Sequence, residues 1–149
     1  MANGTFGALK KEYGTSETLT SKGVWIPVHV KGLKEDQCPS FLVSRMARGN
    51  RKYLAALEAM SRKNKRRIDR GLMTSSEGAL MLLKIFCDTV LLGWRNIFDV
   101  DGKPIAFDNK LAYKELSDPA MEDVASYLME EAQELARFQE DEAEEIAEE

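Results

Sequence analysis

The chain holds one histidine, His29, and its surroundings decide whether it does chemistry. A histidine acting as general base or metal ligand comes with partners: a carboxylate to orient it, a nucleophile to serve, or further ligands at fixed spacing. His29 stands instead in GVWIPVHVK, Gly23 to Lys31, among apolar neighbours, and reads as a strand histidine. Cys38 and Cys87 belong to no CxxC or Cys/His cluster, so no zinc site is expected. Asp99, Asp101 and Gly102 look like part of a calcium loop. With Gly102 at the sixth position, however, Ile97 falls at the first, where an oxygen ligand is required. Pro104 then lies inside the loop, and Asp108 stands where a bidentate Glu belongs. The stretch therefore reads as a plain turn. Ser40, Ser44, Ser61, Ser75 and Ser76 lack a GxSxG or SxxK setting, and no P-loop or GxGxxG occurs. Glu130, Glu131 and Glu134 lack the histidine of a di-iron ExxH element. The expectation is a binding protein with no catalytic residue, cofactor or metal.

Charge gives the first clue to what it binds. Between Lys31 and Arg70 there are 12 basic residues against 4 acidic ones. Between Glu115 and Glu149 there are 14 acidic residues, opposed only by Arg137. Such asymmetry speaks of partners and solubility rather than of fold. Arg62, Lys63, Lys65, Arg66 and Arg67 are the candidate electrostatic contacts. Grouped cations of this kind also suit a phosphate backbone. A small nucleic-acid-binding or packaging accessory protein using residues 62–70 is thus the alternative reading, although no nucleic-acid motif accompanies the cluster. The apolar candidates are Leu80, Leu83, Phe86, Leu91 and Trp94, on a stretch apolar nearly all round. Such a helix is either a central core element or one wall of a groove for a partner helix.

The elements that must position these residues follow from periodicity. Residues 1–22, rich in Gly, Thr, Ser and Lys, read as a flexible arm. Val24, Ile26, Val28 and Val30 alternate along a strand that Pro27 confines to an edge or bulge. Phe41 to Arg45 alternate again, giving a β-hairpin. Asn50 is placed to cap a helix over about 50–63, with Tyr53, Leu54, Leu57 and Met60 on one stripe. Thr74 and Glu77 have capping-box spacing before a helix over 76–94. DVDGKP, Asp99 to Pro104, predicts a tight turn with Gly102 at positive φ. Asp108 and Asn109 can cap a short helix, and Asp118-Pro119 starts another over 119–140. The predicted fold is mainly α: a helical domain over 23–139 with a short N-terminal β-hairpin, and an acidic tail over 140–149. Met1 to Gly14 lacks the apolar core of a signal peptide. The apolar run Ala79 to Trp94 is too short for a bilayer and is broken by Lys84 and Asp88. A reducing cytoplasm with free thiols is expected, without membrane contact.

Two blocks resemble a known family. Phe41 to Tyr53, FLVSRMARGNRKY, is a short apolar strand, an Arg, then Asn followed by a basic residue and an aromatic. Gly93 to Phe107, GWRNIFDVDGKPIAF, fits a W-x-N-x-x-D-x-D-G-K-x-I-x-F pattern, with an acid-ended helix after it. In this order the blocks resemble the tail assembly chaperones of long-tailed bacteriophages, over roughly residues 23 to 140. The resemblance implies a morphogenesis factor of the host cytoplasm, absent from the mature virion. It would bind the tape measure protein, keep it soluble and help recruit the tail tube protein, and homo-oligomers are possible in such a system. It also implies a longer product made by translational frameshifting. On this view the five apolar candidates contact the client, and the acidic tail keeps the loaded complex soluble.

Overall fold

The computed structural model describes residues 4–139, so the acidic tail expected over 140–149 lies outside them. Two helices open the chain, α1 (Thr5–Tyr13) and α2 (Glu17–Lys22). They occupy the stretch read from sequence as an arm. Ser16 caps α2 by accepting the Leu19 N–H at 3.3 Å. The hairpin follows, with β1 (Val24–Pro27) antiparallel to β2 (Ser40–Val43). Next come α3 (Arg51–Lys63), α4 (Lys65–Asp69) and α5 (Ser75–Ile85). A π-helical turn, Phe86–Val90, leads straight into β3 (Leu91–Arg95). The chain finishes with α6 (Asn109–Leu116), a 3-10 turn Pro119–Met121, α7 (Glu122–Gln133) and a 3-10 turn Leu135–Phe138.

The mainly α expectation is overturned. β3 joins the hairpin to make a three-stranded antiparallel sheet in the order β1-β2-β3, and the fold is mixed α/β. The helix expected over 76–94 stops at Ile85 and is spent by Val90. A continuous apolar run is compatible with a buried helix and with a buried strand, and periodicity alone does not separate them. Here β-branched Thr89 and Val90 and then Gly93 disfavour helix, while β2 pairs with Leu91, Gly93, Trp94 and Arg95 along one edge of the segment. The π turn widens the helix end. Thr89 helps close it by donating its hydroxyl to the Ile85 carbonyl at 2.7 Å.

The core lies between the sheet and the helices. Ile26 and Val43 from the sheet, Phe86 and Val90 from the π turn, and Leu128 and Phe138 from the C-terminal elements are fully buried in it. The helix expected over 119–140 is also interrupted. Glu134 is extended, which turns the chain so that Phe138 enters the core. The Arg45 guanidinium sits 5.4 Å from the Phe138 ring centroid. Burial lowers the Arg45 pKa, and neighbouring Glu134 acts in the opposite direction. The Met46 N–H donates to the Ala132 carbonyl at 2.9 Å, tying this C-terminal layer to the exit of β2.

Burial also governs Cys87, whose thiol is pushed up from 9.0 to about 12, with Asp88 adding to the rise and Lys84 opposing it. The folded chain therefore keeps a proton that the unfolded chain loses near pH 9. Stability should fall as pH rises from 9 towards 12, by at most about 1.4 kcal/mol per pH unit. Urea titrations at pH 8, 9 and 10 check this. The fall should be smaller in Cys87→Ala; equal slopes in the two proteins would remove Cys87 as its cause.

Candidate functional site

The basic stretch folds into a corner of helices. Asn50 caps α3, its Oδ1 accepting the Tyr53 N–H at 3.4 Å. Tyr53, Leu54, Leu57 and Met60 turn inward but only half-way: no residue of α3 or α4 is fully buried. Asn64 ends α3, and its side-chain amide donates back to the Met60 carbonyl at 2.9 Å. The chain bends there into α4 and reaches Gly71 at φ +66, a left-handed value that favours glycine. Thr74 then caps α5 by accepting the Glu77 N–H at 3.1 Å. The Glu77 carboxylate contacts the Thr74 hydroxyl and the Arg67 guanidinium, which joins α4 to the start of α5. That guanidinium holds the Glu77 carboxyl below its ordinary range.

Of the five basic candidates, Arg62, Lys63, Lys65 and Arg66 are exposed, and Arg67 is half-buried against Glu77. Lys65 pairs with Asp69 at 2.9 Å along α4. Arg62, Lys63, Arg66 and Arg70 have no ion pair among the described residues. Three large apolar side chains share this corner: Ile68 on α4, Leu72 in the connecting loop and Leu80 on α5, each more than 40% exposed. Leu80 follows Glu77 by three positions, on the same face of α5, so the Arg67 contact brings that face beside α4. Sequence reading missed Ile68 and Leu72. Their only signal was an apolar residue where a charge run predicts a fully polar face.

The apolar candidates separate. Leu80 is exposed, whereas Leu83, Phe86 and Leu91 are buried in the core. Those three support the fold and do not present a surface in this conformation. Trp94 is half-buried; its Nε1–H donates to the Ile105 carbonyl at 2.8 Å. Its ring meets Phe41 and Phe107 edge-on, at 6.4 Å and 5.0 Å between centroids. Asn96, at φ 61, donates its amide to the Asp36 and Cys38 carbonyls, both at 2.9 Å. The DVDGKP turn forms as predicted: Asp99 Oδ1 accepts the Asp101 and Lys103 N–H groups, both at 2.9 Å, and Gly102 has φ +81. The second block of the resemblance is thus a packing and turn device.

His29 lines a cleft of about 830 Å³ with Trp25, Arg95, Tyr127 and Arg137. Trp25, Arg95, Tyr127 and Arg137 are engaged with neighbouring side chains or the backbone. Arg95 stacks 4.4 Å over Trp25, Arg137 bonds Glu131 at 2.8 Å, and Tyr127 donates to the Pro27 carbonyl at 3.3 Å. Among the described residues no three His, Cys, Asp or Glu side chains gather as metal ligands would. No helix among them is long and apolar enough to cross a membrane. The cationic corner with its three exposed apolar side chains is therefore the candidate site. Compared with known proteins, residues 48–149 match the family model described as YdaY prophage protein. That span begins just before α3 and contains the whole corner. No curated protein and no solved structure matches the chain.

Proposed function

This chain belongs to the YdaY prophage protein family, and we propose that within it the protein works as a tail assembly chaperone. In this reading it binds the tape measure protein in the host cytoplasm, keeps it soluble until tail tube protein arrives, and is left out of the finished particle. The observation that carries the reading is the α3–α4–α5 corner. It offers Ile68, Leu72 and Leu80 in a setting of four cations that have no ion pair among the described residues. A long helical client with apolar stripes and acidic flanks is the chemistry such a corner suits. The ordered resemblance of Phe41–Tyr53 and Gly93–Phe107 supports the same reading.

The test is co-expression with a tape measure protein encoded beside this gene. The client should be soluble only when the chain is present, and the two should co-elute from a sizing column. A client equally insoluble with and without the chain would overturn the proposal. The same four cations favour one other reading, a nucleic-acid contact. Salt separates the two. Four phosphate contacts would weaken binding by about 100-fold between 50 and 200 mM salt, whereas binding led by apolar burial would change far less.

A further inference from the structure

The helix α1 has no evident reason to be folded. It is nine residues long and none of them is buried. Isolated helices shorter than about 12–15 residues are marginal in water and take their stability from packing an apolar face. α1 has such a face, with Phe6, Leu9 and Tyr13 at spacings of three and four residues on one side. Phe6 is 68% exposed, Leu9 45% and Tyr13 62%. Lys10 and Lys11, in its last turn, have no ion pair among the described residues.

We propose that this stripe is the docking face for residues 140–149 of the same chain, through Ala143, Ile146 and Ala147. Three observations choose that occupant. The described chain ends beside α1: the Phe138 carbonyl accepts the Ser16 N–H, and the Gln139 side chain donates to the Glu12 carbonyl, both at 2.8 Å. The next ten residues, EDEAEEIAEE, carry seven carboxylates to face Lys10 and Lys11. Their three apolar residues have the i, i+3, i+4 spacing that gathers side chains on one helical face. The lengths also match, since ten residues span about 15 Å as a helix and nine about 13.5 Å. Docked in this way, the segment would leave from the C-terminal end of α1 and run antiparallel along it towards Phe6. A tether this short gives an effective concentration in the millimolar range, enough to hold a small contact.

The test uses the full chain and a version ending at Gln139, read by amide hydrogen exchange. Exchange over residues 5–13 should be at least tenfold faster in the shortened chain, and Ile146→Asp in the full chain should reproduce most of that change. A Leu9→Cys, Ile146→Cys pair should oxidise to a disulfide within one chain at low protein concentration. Leu9, the one α1 position substituted, is exposed, so folding is not at risk. Unchanged exchange on shortening the chain would overturn the proposal. A disulfide formed only between chains would overturn it in favour of a second copy as occupant.

Discussion

Phe86→Ala should destabilise the protein by about 3–5 kcal/mol, the usual cost of emptying a buried aromatic site. Phe86 is fully buried at the start of the π turn, among core residues of the sheet, α6 and α7. Its neighbours belong to several elements, so a relaxation of one of them does not fill the space. Domains of this kind have about 5–15 kcal/mol in total, and the variant should unfold at much lower urea concentration. Leu80→Ala, at a side chain 43% exposed on the preceding helix, should stay within about 0.5 kcal/mol of the parent. The contrast matters for function. Any loss of client binding in Phe86→Ala would report unfolding, whereas a loss in Leu80→Ala would report contact. A folded Phe86→Ala protein with less than about 1 kcal/mol of loss would contradict the placement of the core.

Asn50→Ala should cost about 2–4 kcal/mol, far more than an ordinary helix cap. The Asn50 amide donates to Ser44 Oγ at 2.9 Å and to the Arg45 carbonyl at 3.0 Å, while its Oδ1 caps α3. Ser44 Oγ in turn donates to the Val90 carbonyl at 3.0 Å. Both side chains are buried, so one network joins the exit of β2, the end of the π turn and the start of α3. Losing the cap costs about 1 kcal/mol, and leaving buried acceptors unpaired adds about 1–3 kcal/mol. Asn50→Asp separates these terms, because it keeps the capping oxygen and loses both donors. It should remain clearly destabilised in urea titrations. An Asn50→Asp protein as stable as the parent would show that the network contributes little.

What the sequence disclosed was local. The cap at Asn50, the Asp118-Pro119 start and the Asp99–Gly102 turn depend on residues within a few positions of one another, and all are present. The strand β3 was not legible, because Leu91 to Trp94 continue an apolar run whose conformation is decided by a partner strand about fifty residues earlier. Ser44 gave no sign of its bond to Val90 for the same reason. At the candidate site, the charge run showed its cations, and the Lys65–Asp69 spacing already suited a helical pair. The Arg67–Glu77 contact, which sets α4 beside α5, needed the bend at Asn64 and the turn at Gly71. The burial of Leu83 and Phe86 in a core shared with the sheet, and of Leu91 as a residue of β3 itself, likewise depends on long-range packing, so an apolar run that read as either core or groove became core.

Client binding at the α3–α4–α5 corner is tested by sizing chromatography of the client co-expressed with three forms of this chain. These are the parent, a form with Arg62, Lys63, Arg66 and Arg70 each changed to Glu, and a Leu72→Asp, Leu80→Asp form. All the altered side chains are exposed, so each form should fold. The parent should co-elute with soluble client, and both altered forms should leave the client in the pellet. Co-elution undiminished in both would contradict that expectation, and would place client binding away from the α3–α4–α5 corner.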